Sequence, residues 1–201
     1  MIPLGVLASS RVPSATPVIG GMVSSATGTV SLTAVPSGGW MLATLIGGGA
    51  PPATPSGWTS LATDDSAWRI VGKVKAAESS LSVPGTENDL ISVMWGTGSS
   101  AVSSWRAGDI GPDGSTSVSL TGTTAGSLLV GVEPIQGSWA GTEISYGGAV
   151  SLHSHSMVAA NGIYATAWLS GTAAGGTATA TRSSPYIAYV YLWVLVEIPS
   201  R

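Results

Sequence analysis

Apolar and polar positions alternate in short runs along the chain, and glycine or proline interrupts these runs about every ten residues. The stretch "AWRIVGKVKAA" is an example, because it puts Trp68 and Ile70 on one strand face and Lys73 on the other. The helix formers Glu and Lys are rare. Many short strands at this spacing are typical of a sandwich or barrel. The pattern therefore predicts an all-β protein.

Seven strands are predicted in each half of the chain. Those of the first half are 29–35, 39–46, 58–63, 67–76, 79–83, 90–95 and 102–106. Those of the second half are 115–120, 127–133, 143–146, 155–160, 163–169, 177–182 and 186–198. The last strand contains the longest apolar run, which is rich in β-branched and aromatic residues. This composition predicts a strand buried on both faces.

A strand, a turn and a second strand are written twice, 88 residues apart. Identical residues are Val30, Ser31, Leu32, Thr33 and Gly38 in the first copy and Val118, Ser119, Leu120, Thr121 and Gly126 in the second. Neither half would bury its apolar face alone. We therefore expect one jelly-roll-like β-sandwich over residues 21–201, with pseudo-repeated halves at about 27–107 and 115–198. Two small domains joined by residues 107–116 are the alternative.

Residues 1–20 differ from the rest, because Pro3, Pro13 and Pro17 fix extended backbone and remove hydrogen-bond donors. This segment is predicted to be an extended arm that attaches to a partner. The side chains expected to anchor it are Ile2, Leu4, Val6 and Leu7.

Charged residues make up only 8 % of the chain, against about 25 % in typical domains. Such a surface is either coated with Ser, Thr and Gly or covered by other protein, and we expect self-association or a partner. The seven basic residues are scattered, so no nucleic-acid surface is predicted. The longest apolar run is too short for a membrane helix, and no membrane insertion is expected. With no cysteine, disulfides and thiolate metal sites are excluded.

Candidate chemistry is sparse. His153 and His155 would share one face of a strand, but no nearby acid completes a metal site, so two polar surface residues are the simpler interpretation. Asp109 and Asp113 lie in a Gly/Pro-rich loop that suits a turn better than a calcium site. No "GxSxG" marks a nucleophile. The sequence predicts no catalytic residue, no cofactor and no enzymatic activity.

Eight tryptophans and five tyrosines, with no phenylalanine, are the remaining unusual feature. Trp58 and Trp139 adjoin loops, where each could stack on a sugar ring or a partner, although core packing is the more common use of such residues. The tryptophans within apolar strands are expected in the core; they are Trp40, Trp68, Trp95 and Trp193.

Several short motifs resemble small virion proteins of tailed phages that infect actinobacteria. They are "MIPLGVLASS", "VPSGGWMLATLIGG", "PPATPSGWTSL", "AWRIVGKVKAAE" and "AYVYLWVLVEIP". The shared pattern is a "PxG" turn at 36–38, a "PxGW" loop at 55–58 and a Lys-to-Glu strand end at 75–78, where the spacing departs slightly from the pattern.

The resemblance implies a β-sandwich built into a virion and carries over no catalytic residue. We expect a structural protein of the particle that is assembled in the bacterial cytoplasm: a minor tail protein or, alternatively, a capsid decoration protein. Its expected partners are other virion proteins and copies of itself, with a trimer as one arrangement. A host-recognition module that binds surface glycans through Trp58 and Trp139 is the other alternative.

Overall fold

The structure is a computed structural model, and it describes residues 15–47, 50–63, 67–83, 90–99, 101–111, 117–136, 146–147, 155–158, 164–182 and 194–201. In these ranges the regular elements are antiparallel β-strands and one turn of 3-10 helix, Val102–Ser104. The predicted all-β sandwich is therefore confirmed. That its strands connect as a jelly roll stays a prediction.

The first half forms a five-stranded sheet, sheet 1, and a two-stranded ribbon, ribbon 1. Its strands are β1 Val18–Ser25, β2 Thr29–Ser31, β3 Trp40–Ile46, β4 Thr59–Thr63, β5 Trp68–Val74, β6 Ser80–Ser82 and β7 Leu90–Thr97. The order in sheet 1 is β1-β7-β3-β5-β4, and ribbon 1 pairs β2 with β6.

The second half forms sheet 2 and ribbon 2. Its strands are β8 Arg106–Ala107, β9 Ser117–Thr123, β10 Leu128–Gln136, β11 Tyr146–Gly147, β12 His155–Val158, β13 Tyr164–Thr172, β14 Gly176–Arg182 and β15 Val194–Ile198. The order in sheet 2 is β8-β15-β10-β13-β12, and ribbon 2 is β11-β14-β9. This is the order of sheet 1 and ribbon 1 strand for strand, with β11 added.

The turn that precedes the central strand has the same geometry in both halves. Gly38 and Gly126 have φ values of +75° and +83°, in the left-handed region that favours glycine. The Gly38 N–H donates to Lys75 O, and the Gly126 N–H donates to Ala173 O, each at 2.9 Å. The repeated glycine in the sequence therefore marks a repeated backbone conformation.

One apolar core lies between the inner faces of sheets 1 and 2. Both halves contribute side chains to it. They are Trp40, Leu42, Ile46, Trp68, Ile70, Leu90, Met94 and Trp105 from the first half, and Leu128, Val130, Val132, Trp168, Val194, Val196 and Ile198 from the second. A hydrogen bond crosses this core, from Trp168 Nε1 to Ser92 Oγ at 2.9 Å.

Each ribbon covers the outer face of its own sheet. In the first half, Val30 and Leu81 of ribbon 1 pack on alternate residues of β3, β5 and β7. In the second half, Val118 and Ala180 of ribbon 2 pack on Leu129 and its neighbours. The body therefore has four layers, and every residue of β3 and of the described strand β15 is buried.

The predicted core positions of Trp40 and Trp68 are confirmed, since both are fully buried. Trp95 is only partly buried and packs on the outer cluster of sheet 1. Trp193 lies outside the described residues.

Two predictions about the limits of elements are wrong. The predicted arm ends at residue 20, but Val18–Gly20 already belong to β1, a strand that was not predicted. The strand predicted at 102–106 is a 3-10 turn followed by the two-residue β8. Residues 1–14 of the predicted arm, with the anchors Ile2, Leu4, Val6 and Leu7, lie outside the described residues.

Candidate functional site

Trp58 lies at a corner of sheet 1, one residue before β4. A turn positions it, because its N–H donates to Pro55 O at 3.0 Å and Gly57 takes a φ of +75°. The indole packs on the outer cluster of sheet 1 and remains partly exposed. Trp58 therefore has one face in the molecule and part of its ring at the surface.

An ion pair lies beside this corner. Lys73 Nζ is 3.3 Å from Glu78 Oε1, and each side chain is about one-fifth exposed (20 % and 21 %). A Cβ added to Gly57 would lie 3.2 Å from Lys73 Nζ, so the ammonium group reaches the Trp58 turn. Burial favours a raised pKa for Glu78, but hydrogen bonds from the N–H groups of Glu78 and Ala76, with the Lys73 ammonium, lower that pKa below its ordinary value.

The corner thus combines an indole, an ammonium group and a carboxylate. An indole face stacks on apolar surfaces such as the C–H face of a sugar ring, and the charged pair can exchange hydrogen bonds with hydroxyl groups. The arrangement is suited to binding and offers no nucleophile next to a general base. Trp139, the other tryptophan predicted to stack on a sugar ring, lies outside the described residues.

Lys75 closes the loop that follows β2. Its Nζ donates to Leu32 O at 2.6 Å and to Val35 O at 2.5 Å. Both carbonyls belong to the loop that packs on sheet 1, so this lysine stabilises the cover of the outer cluster.

A second ion pair clamps the edge of sheet 2 to the turn between β9 and β10. Arg106 Nε donates to Glu197 Oε2 at 3.0 Å, and the Thr124 N–H donates to Glu197 Oε1 at 2.6 Å. The Glu197 side chain is 1 % exposed and that of Arg106 is 44 % exposed. Burial favours a raised pKa for Glu197, but the bonds from Thr124, Arg106 and Ser127 outweigh it and lower the pKa below its ordinary value.

A polar cleft of about 430 Å³ opens beside this clamp, lined by residues 106–109 and 119–121. The guanidinium of Arg106 is already engaged by Glu197 and by the carbonyls of Thr121 and Gly122. The clamp therefore joins elements of the fold, and its charges are largely satisfied within the chain.

The segment that leads from the predicted arm into β1 is fixed to the body. The Arg201 N–H is shared between Ala15 O at 3.3 Å and Gly98 O at 3.1 Å. Pro17 is buried, and a Cβ on Gly98 would lie 2.4 Å from Thr16 O. The chain therefore enters the body at a defined place, next to residues 98–99 and 200–201.

The predicted histidine pair is only half placed, since His153 lies outside the described residues. His155 begins β12, where its backbone pairs with Trp168. Among the described residues, no three His, Asp or Glu side chains come together as a metal site. In the same ranges, no helix is long and apolar enough to cross a membrane.

The fold and these sites define an all-β protein made of two topologically equivalent halves. No known protein family, curated protein or solved structure matches the chain.

Sequence reasoning missed both ion pairs. The signal for one was present: Glu197 is a lone carboxylate in the apolar segment "LWVLVEIP", and a charge buried in a strand needs a partner. Its partner Arg106 is 91 residues away in the chain, so the pairing itself follows only from the fold.

Proposed function

We propose that this protein is a non-enzymatic structural component of a phage particle, a minor tail protein that assembles through its N-terminal arm and the surfaces of its β-sandwich. The protein acts by packing beside its neighbours in the virion. Its anchors on those neighbours are Ile2, Leu4, Val6 and Leu7.

The observation that carries the proposal is the fixed junction at residues 15–17. An arm transmits position from one subunit to the next only if its root is held in the body. Here the root is held by the shared N–H of Arg201 and by the packing of Pro17 and Gly98. The low share of charged residues further supports a surface that other protein covers.

Removing residues 1–10 tests this function, because the deletion leaves the junction at 15–17 in place. The truncated protein is expected to keep its circular dichroism spectrum and its unfolding midpoint, and to be missing from particles. Incorporation is measured by quantifying the protein in purified virions after complementation.

A matched control replaces Ser9 and Ser10 with alanine, which keeps the arm and its apolar anchors; this variant should incorporate normally. Truncated protein that incorporates at the normal level would overturn the proposal. A particle reconstruction that locates the protein on the shell would instead assign it to capsid decoration.

The Trp58 corner favours a second function, recognition of a host-surface glycan. A partly exposed indole next to Lys73 and Glu78 supplies both the stacking surface and the hydroxyl partners that sugar binding needs. This function is compatible with a place at the tail tip.

Glycan-array binding separates the two functions. Trp58→Ala should reduce binding by roughly tenfold or more, whereas Trp58→Phe, which keeps an aromatic face, should reduce it less. Trp139→Ala tests the other predicted tryptophan in the same way. A wild-type protein that binds no glycan, or binding indifferent to these changes, removes this function.

A further inference from the structure

β1 differs from the other three strands at the edges of sheets 1 and 2 in the described part of the chain. It is eight residues long, contains no charged residue and has β7 as its one sheet neighbour. By contrast, β4 has five residues with an irregular register, β12 has four, and β8 has two, one of them Arg106. Short length, irregular pairing and charge are the usual protections of a free edge. The register shift at Gly20 in β1 leaves residues 21–25 in regular pairing.

The apolar side chains of β1 are incompletely covered. Ile19 and Met22 pack on the shared core, and Val23 packs on the outer cluster of sheet 1, yet all three remain partly exposed. Val18 is a large apolar side chain that is 57 % exposed. A strand added beside β1 would remove this apolar area from water and bond to the backbone groups that face away from β7.

Residues 2–7 have the pattern that such a strand needs. Ile2, Leu4 and Val6 alternate with Pro3 and Gly5, so their side chains share one strand face. The backbone groups of even and odd residues point to opposite sides of a strand. Pro3 has no N–H to donate, so the backbone groups of residues 3, 5 and 7 must point away from β1. Those of residues 2, 4 and 6 then form the hydrogen bonds to β1. The segment has no charged side chain, so its pairing with the uncharged β1 removes no charged group from water.

The donor fits a second copy better than its own chain. Pairing within one chain requires a reversal between residues 8 and 14, where the sequence has no Asn-Gly, Asp-Gly or Gly-Gly turn. Pro13 favours extended backbone at the residue before it. From Leu7 to the fixed Ala15 the chain spans at most about 29 Å, enough to reach a neighbouring body.

We propose that the free edge of β1 accepts residues 2–7 of a second copy of this chain as an added β-strand. This inference rests on the proposed function, because it names the acceptor of the arm. The contact is head-to-tail, with each copy donating an arm and accepting one. Repetition therefore closes into a ring or extends into a filament.

Two full-length variants separate donor from acceptor. The donor variant, Ile2→Asp with Leu4→Asp, puts charge into the arm and leaves β1 intact. The acceptor variant, Val18→Lys with Ser25→Lys, places charges on the edge and leaves the arm intact. A control, Thr59→Lys, places a lysine on an exposed position of β4, the other edge of sheet 1.

The masses of these proteins in solution are measured by light scattering after size exclusion. We expect wild type and the Thr59→Lys control to be oligomeric, and each donor or acceptor variant to be monomeric with an unchanged circular dichroism spectrum. An equimolar mixture of the donor and acceptor variants should give a species of two chains, since one arm and one edge remain functional between them. This recovery in the mixture also shows that both variants are folded.

Three results would overturn the inference: a monomeric wild type, an acceptor variant that oligomerises like wild type, or a mixture that stays monomeric. If any of these occurs while deletion of residues 1–10 still prevents incorporation into particles, the arm binds another virion protein and the proposed function stands. If the deletion leaves incorporation unchanged, the proposed function fails whatever the masses show.

Discussion

Gly126 connects the sequence repeat to the fold through one backbone angle. Its φ is +83°, and a Cβ added there would meet no atom within 4 Å. The cost of a side chain therefore comes from the left-handed backbone alone. We expect Gly126→Ala to lower the free energy of unfolding by about 1–2 kcal/mol, and Gly126→Asn to lower it less. Chemical denaturation measures both free energies. An alanine variant as stable as wild type would contradict the left-handed conformation of Gly126.

Arg106 and Glu197 are unequal partners because the carboxylate is buried and the guanidinium is half exposed. Arg106→Met leaves a buried charge without its cation and should cost about 3–5 kcal/mol. Glu197→Gln leaves an arginine that water can still solvate and should cost about 1–2 kcal/mol. Denaturation of the two variants tests this order. If the glutamine variant were the less stable of the two, Glu197 would not be the buried partner.

The same pair makes stability depend on pH. The pKa of Glu197 is lowered from its ordinary value of 4.5, so its ionised form favours the folded state. This contribution is complete above about pH 4.5 and disappears as the pH falls through the lower pKa of the folded protein. The difference in unfolding free energy between wild type and Glu197→Gln should therefore be constant near neutral pH and narrow in acid. A difference that widens in acid would show that the pKa is raised instead.

At the scale of elements, a buried hydrogen bond joins β7 of the first half to β13 of the second. Ser92→Ala removes the acceptor of the Trp168 indole N–H and should cost about 1–3 kcal/mol. Adding Trp168→Phe in a double-mutant cycle should show a coupling energy near 1 kcal/mol. A coupling of zero would mean that the two strands are not aligned through this contact.

Thr44 is the matched control for that experiment. It is fully buried beside Ser92 in the sheet, and its hydroxyl has no hydrogen-bond partner among the described residues. Thr44→Val keeps the shape and removes an unsatisfied polar group, so the free energy of unfolding should be unchanged or higher. If Thr44→Val lowered the free energy of unfolding as much as Ser92→Ala, the cost would come from removing any buried hydroxyl at this position in the sheet and not from the bond to Trp168.

The strands were predictable wherever local alternation, a continuous apolar run or turn residues decide them, as in β3, β5 and β7. β1 was not, because "VIGG" after Pro17 has the composition of a loop. Its conformation depends on a distant residue: a Cβ on Gly20 would lie 2.1 Å from the Trp95 ring, so the glycines make room for an indole 75 positions later. At the corresponding place in the second half, Arg106 pairs with Glu197. The candidate sites followed the same rule: Trp58 was visible in its own loop, whereas Lys73 and Glu78 beside it were not.

At the scale of the whole molecule, the repeat is explained by the shared core. Each half covers the outer face of its sheet with its own ribbon, but the inner faces of sheets 1 and 2 are buried only against each other. A half on its own would expose Trp40, Leu42 and Trp68 or their counterparts to water. The two halves should therefore fold and unfold as one unit.

Native-state hydrogen exchange of β3 and β10, the central strands of the two sheets, tests this account most directly. A single cooperative body predicts that the slowest amides of both strands exchange with the same free energy, equal to that of global unfolding. Trp168→Ala, made in the second half alone, should then lower both values equally. If β10 were weakened while β3 kept its wild-type protection, the halves would be independent domains and the account of a shared core would be wrong.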